Sequence, residues 1–150
     1  MPEAKGRILV LNGPNLNLLG TREPAIYGSA TLAQLMERAG AAAQRLGYAI
    51  DTKQSNDLGT MIDAVHAAAS VHVGIVLNAG AFTHYAWGLH DALKSVNLPV
   101  VEVHLSNPAA RDPWRHESVI ASAVVGTIAG FGAESYVLGV EALVRHVESR

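Results

Sequence analysis

Two residue pairs in the chain have the types and spacing of acid–base chemistry. Glu102 and His104 are two positions apart, and in an extended strand that spacing puts both side chains on one face. A carboxylate beside an imidazole favours the imidazolium and orients the ring, which makes His104 a candidate general acid. A hydrogen-bonded pair at a sheet end is the plainer alternative. Arg22 and Tyr27 form the second pair, on one loop. A phenol serves as a general base only if its pKa of about 10 is pulled down, and a neighbouring cation does that by stabilising phenolate. The alternative for Tyr27 is an aromatic latch that holds its loop closed. His84 stands at a helix start, placed either to bond ligand hydroxyls or to cap. The other histidines (His66, His72, His90, His116 and His146) lack HExxH-type spacing, and there is no cysteine. No metal site is therefore expected.

Other chemistries lack their residues. Lysine occurs only at Lys5, Lys53 and Lys94, outside the polar loops, which disfavours an imine mechanism. No G-x-x-x-x-G-K-[ST] follows the first strand and no G-x-S-x-G elbow appears. Gly130-Phe131-Gly132-Ala133-Glu134-Ser135 nearly imitates a dinucleotide fingerprint, but it follows the last strand and ends in Ser.

The elements that position these residues alternate regularly. Strands are expected at Arg7–Asn12, Tyr48–Gln54, Val73–Asn78, Val100–His104 and Val124–Ala129. Helices are expected at Thr31–Leu46, Gly59–Ser70, Tyr85–Val96 and Ser135–Val147, with a short helical turn at Ser118–Ser122. Leu32, Leu35, Met36, Ala39, Ala43 and Leu46 keep helical spacing behind Thr31 as N-cap, and Gly47 stops that helix. Five alternations predict an α/β fold, a parallel sheet with helices on both faces. At this length the flavodoxin-like doubly wound order 2-1-3-4-5 is favoured. Ligands in such sheets bind beyond the carboxyl ends of the strands. Four strands end in amides, hydroxyls or imidazoles there: Asn12-Gly13-Pro14-Asn15-Leu16-Asn17, Gln54-Ser55-Asn56, Asn78 through His84, and Glu102 through Asn107, with Arg111 and Arg115 following. Turn chemistry explains one such loop more readily than four together. The 18-residue connection Gly13–Ala30 is long for a β–α loop, and its part from about 18 to 30 reads as a lid with Gly20 and Gly28 as hinges, or else as a disordered insertion.

Length and composition bound the rest. The 150 residues make a single domain. Eleven Lys and Arg against 13 Asp and Glu give a net charge of −2, with no basic run suited to nucleic acid. No segment approaches a membrane span or a signal-peptide core, and lack of cysteine suits a reducing, cytoplasmic compartment. The charged fraction of 16% is low against about 25% for soluble domains, which suggests surface hidden against copies of the chain.

Four blocks resemble one family, the type II 3-dehydroquinate dehydratases. They are Ile8 through Pro24 with Ile26-Tyr27-Gly28; Gln54-Ser55-Asn56; Asn78 through His84; and Val101 through Asn107, extended by Arg111 through Arg115. The likeness runs nearly end to end. It implies a flavodoxin-like fold and a cofactor-free anti elimination of water from 3-dehydroquinate through an enolate, giving 3-dehydroshikimate. By resemblance, Tyr27 is the base at carbon 2, with Arg22 lowering its pKa. Asn15 stabilises the enolate by way of a water, and His104 protonates the departing hydroxyl, with Glu102 setting its ionisation. Asn78 and the backbone amides of Leu105 and Ser106 hold the carboxylate. His84 and Arg115 hold the ring hydroxyls, joined by Asp91 from a neighbouring subunit. The resemblance also implies a homododecamer of four trimers, serving aromatic amino-acid biosynthesis or quinate breakdown. The chain departs from the family pattern at Asp57-Leu58-Gly59-Thr60, Ala79, Phe82 and His90, none of them a residue assigned to the chemistry. The rival readings are a flavodoxin-like binding or signalling module and a non-catalytic paralogue that binds a quinate-like ligand. Asn12 stands where a phosphotransfer module needs an acidic residue, and the intact Arg22, Tyr27 and His104 set speaks against the paralogue.

Overall fold

The computed structural model describes residues 3–150. Five parallel strands, β1 (Arg7–Asn12), β2 (Ala49–Gln54), β3 (Gly74–Asn78), β4 (Val100–His104) and β5 (Gly126–Ala129), lie in the order β2-β1-β3-β4-β5. The order reverses between β1 and β3, so the switch point falls beside Asn12 and Asn78. Four helices cover the two faces: α2 (Leu32–Arg45) and α5 (Glu134–Glu148) one, α3 (Leu58–Ala68) and α4 (Trp87–Ser95) the other. The short α1 (Pro24–Tyr27) lies in the long first connection.

The period of two in each strand distributes the core. Ile8 and Val10 of β1, Val76 of β3, and Val101 and Val103 of β4 pack toward α2 and α5. Leu9 and Leu11, Ile75 and Leu77, and Val100 pack toward α3 and α4. Continuing each alternation by one step puts Asn12 and Asn78 on the α2/α5 side. It puts Glu102 and His104 on the α3/α4 side. The polar ends of the central strands are extensions of the apolar pattern that builds the core.

The boundaries differ from expectation mainly at the sheet edges and in the loops. Thr31 is the N-cap of α2 within a reciprocal capping box: Gln34 N–H donates to Thr31 Oγ1, and Thr31 N–H to Gln34 Oε1. Strand β5 starts at Gly126 because Val124 folds back onto the α3/α4 core. The helical turn expected at 118–122 is a 3₁₀ turn at Ala121–Ala123. Helix α4 begins two residues after the expected start, since Gly80–His84 forms its own 3₁₀ turn. The long connection is ordered, as its buried Leu16 and Leu19 join the core beneath α2. Gly20 and Gly28, at φ +96° and +83°, bracket its outer part. Among the described residues no helix is long and apolar enough to cross a membrane.

Candidate active site

A cleft opens at the carboxyl ends of β1, β3 and β4. Asn15, Arg22, Tyr27, Asn78, His84, His104, Leu105, Ser106 and Arg115 line it, together with Arg111. Glu102 lies directly behind His104. Asp91 is not brought to this cleft; it sits on α4 with its side chain 83% exposed. Ten of the eleven residues singled out in the sequence thus converge within one chain.

The floor is a close approach of two loops. Gly13 N–H donates to Asn78 O at 2.8 Å, and a Cβ on Gly13 would come within 2.4 Å of Ala79 O. Only glycine lets β1 turn out of the sheet this tightly against β3. The chain then enters the left-handed region at Asn15, φ 68°. The end of β2 braces that turn. Asn15 N–H donates to Asn56 Oδ1 at 2.9 Å, and Gln54 Nε2 donates to Gly13 O and to Asn56 Oδ1, each at 3.1 Å. Gln54 and Asn56 therefore hold the turn that carries Asn15.

At the end of β4, His104 Nε2 lies 2.6 Å from Glu102 Oε2, and both residues are buried. A carboxylate only accepts, so Nε2 carries a proton and Nδ1 is the ring's second functional atom. Ser118 Oγ donates to Glu102 Oε1 at 3.0 Å. Both carboxylate oxygens are thus occupied, and the paired groups offset part of the cost of burying the charge. The His84 ring stacks on His104 with centroids 6.5 Å apart. His84 Nδ1 donates to Glu117 O at 2.7 Å, and burial holds its pKa below the ordinary 6.5. A neutral His84 presents Nε2 as an acceptor, suited to a ligand hydroxyl.

The opposite wall is cationic. The Arg22 and Arg111 guanidinium groups lie 4.8 Å and 5.1 Å from the Tyr27 ring centroid, within range of a cation–π contact. Arg111 also donates to Ser106 Oγ at 3.2 Å. Arg115 stacks over Trp114 at 3.9 Å and its buried Nε has no hydrogen-bond partner. Arg115 has an exposed ion partner, Asp112, at 3.7 Å. Arg22 and Arg111 face the Tyr27 ring without a carboxylate partner among the described residues. This excess of positive charge favours an anionic ligand.

Asn78 is 3% exposed. Its Nδ2 donates to Tyr136 Oη at 3.0 Å, and its Oδ1 accepts from Gly80 N–H at 3.2 Å. Tyr136, Ser118 and the bracing role of Gln54 and Asn56 escaped the sequence reading. No periodicity or spacing relates Tyr136 to Asn78, 58 positions earlier. Arg111 follows β4 in the sequence, and only the fold brings it to the Tyr27 ring.

The chain as a whole is similar to known proteins. The model of the family described as "Dehydroquinase class II" matches residues 6–144. A 3-dehydroquinate dehydratase from a Nostoc species is 52% identical over 141 residues, 94% of this chain and 96% of that protein. One from Ruegeria pomeroyi is 54% identical over 140 residues, covering 93% and 94%. The crystal structure of type II dehydroquinase from Propionibacterium acnes superposes with a TM-score of 0.91 at 40% identity, covering 96% of this chain and 99% of that one. Sequence and fold together show that this chain belongs to the class II dehydroquinase family.

Proposed function

We propose that the cleft binds 3-dehydroquinate and removes water from it in an anti sense, through an enolate and without a cofactor, to give 3-dehydroshikimate. Membership of the family makes the chain a hydro-lyase; the roles of individual residues are our reading. The observation that carries it is the placement of a buried His104–Glu102 pair and a Tyr27 flanked by two guanidinium groups in one cleft. An elimination needs such a set: a proton acceptor, a proton donor and cations for the charge that develops between them.

Tyr27 takes the carbon-2 proton, and Arg22 and Arg111 stabilise negative charge on that side chain. The electron pair of the broken C–H bond moves into the enolate, which Asn15 stabilises by way of a water. Collapse of the enolate expels the carbon-1 hydroxyl, and His104 Nδ1 gives it a proton, so that water leaves. Tyr27 then loses its proton to solvent and His104 regains one, so water is the only net loss. Glu102, held by Ser118, accepts from Nε2 and so orients the ring with Nδ1 as the donor to the leaving group. Asn78 and the amides of Leu105 and Ser106 bind the carboxylate. The neutral His84 and Arg115 bind the ring hydroxyls.

The segment from about 18 to 30 acts as a lid, since Arg22 and Tyr27 reach the cleft from between Gly20 and Gly28. Asp91 joins the ring hydroxyls of a neighbouring copy, in a dodecamer built as four trimers. Incubation with 3-dehydroquinate, followed by ultraviolet absorbance of the conjugated enone product, tests the activity. A protein that binds the compound without any rise in absorbance is the non-catalytic paralogue, and the proposal fails.

A further inference from the structure

We propose that Tyr136 is a positioning residue for the reaction: its buried hydroxyl, bridging Asn12 and Asn78, turns the Asn78 amide so that its NH₂ group faces an anionic oxygen of the ligand. The inference rests on the reading of the cleft as a 3-dehydroquinate site.

The hydrogen bonds leave one arrangement. Tyr136 is fully buried on α5, and burial pushes its pKa well above the ordinary value, so the hydroxyl keeps its single proton. Asn12 Oδ1, 2.5 Å away, is the acceptor for it, while Asn12 Nδ2 points to Met36 Sδ at 3.4 Å. The phenol oxygen can then only accept from Asn78, and the group at 3.0 Å must be the Nδ2 amine. At the other end of the amide, Gly80 N–H donates to Oδ1. Both ends of Asn78 are assigned, and one N–H remains for the cleft that this residue lines. A donor there reads an acceptor such as a carboxylate. An amide turned over would present its carbonyl oxygen and repel one.

Placement follows from the sheet. Asn12 and Asn78 are direct partners in the β1–β3 register, and alternation sends both side chains toward α5. They meet at the switch point, where α5 presents Tyr136. A phenylalanine would fill the same volume, so the hydroxyl is an addition to packing. Buried hydroxyls are retained where they are hydrogen-bonded, and this one is bonded on both sides.

Steady-state kinetics of Tyr136→Phe test the inference. The expected result is a KM for 3-dehydroquinate raised about tenfold, the scale of one oriented bond to a charged group, with kcat within about threefold. Added to Asn78→Ala, the Tyr136→Phe change should raise KM no further, because the group it positions is gone. Asn12→Leu removes the acceptor by another route and should raise KM in the same way. A folded, active Tyr136→Phe protein with unchanged KM overturns the inference, as does an additive effect with Asn78→Ala. If neither Tyr136→Phe nor Asn12→Leu folds, the network is a folding element and the inference is likewise overturned. Lack of turnover by the unsubstituted protein defeats the functional reading itself, a different outcome.

Discussion

Replacing Tyr27 by phenylalanine removes one oxygen and little else. The ring is half-buried and its faces remain available to Arg22 and Arg111, whose guanidinium carbons lie 4.8 Å and 5.1 Å from its centroid. Each such contact contributes about 0.5–1 kcal/mol at a partly exposed site and does not need the hydroxyl. Among the described residues the Tyr27 hydroxyl makes no hydrogen bond, so its loss leaves no buried partner unpaired. Stability should therefore change by less than about 0.5 kcal/mol, and the midpoint of urea unfolding should hardly move. The chemistry should change far more. A positioned base contributes on the order of 10²–10⁴-fold, and at about 1.4 kcal/mol per tenfold a 10³-fold loss is about 4 kcal/mol of transition-state stabilisation. KM should move little, because no ligand contact is assigned to the oxygen beyond the proton transfer. The assay is initial rate of enone absorbance across substrate concentration, beside a urea melt of the same preparation. If Tyr27→Phe keeps more than a tenth of the parent kcat, Tyr27 is not the base, and its place between two arginines is a latch on the loop.

Other outcomes follow from the same geometry. Gly13→Ala would force a Cβ to 2.4 Å from Ala79 O; it should cost about 1–3 kcal/mol in urea unfolding and lower activity, because the strained atoms belong to the cleft floor. The acid limb of kcat/KM should include protonation of His84, whose pKa burial holds below 6.5; the acceptor is present above that pKa and lost as pH falls through it, so His84→Asn should shift the limb. Asp51, bonded to Arg7 and His72, has its pKa lowered to about 2. Its stabilisation is complete above 3.8 and lost as pH falls toward 2. As the pair is half-exposed, Asp51→Asn should cost at most about 1 kcal/mol at pH 7, a cost that shrinks as pH falls from 3.8 through about 2. Asp91, remote from its own chain's cleft, should affect KM only through a neighbour: Asp91→Ala should raise KM, and light scattering should find an assembly; a fully active monomer refutes both.

Much of the fold was legible because it follows from two periods and their punctuation. The buried run Ile8–Leu11 and its counterparts at Ile75–Leu77 and Val100–Val103 are strands because apolar residues there face helices on both sides. Thr31 as N-cap marks where α2 starts, and the structure adds its reciprocal bond with Gln34 within one turn. Strand β5 was less legible, since Val124 and Val125 have strand composition but Val124 is taken by the α3/α4 core. Whether an edge residue joins the ladder depends on competing packing that no local pattern records.

The sequence by itself determined the alternation of strands and helices in a parallel sheet, the edge on which the polar loops collect, and the placement of Glu102 and His104 on one face. Each rests on local chain geometry: alternation, helical spacing, or two residues on one strand. Only the tertiary structure decided what those side chains do to one another. It placed Arg111 beside Arg22 on the Tyr27 ring, set Ser118 on the far oxygen of Glu102, and joined Asn12 to Asn78 through Tyr136, 124 positions beyond Asn12. Hydrogen bonds act over about 3 Å in space and are indifferent to distance along the chain. Contacts between elements become determinate only once both layers of helices are packed on the sheet.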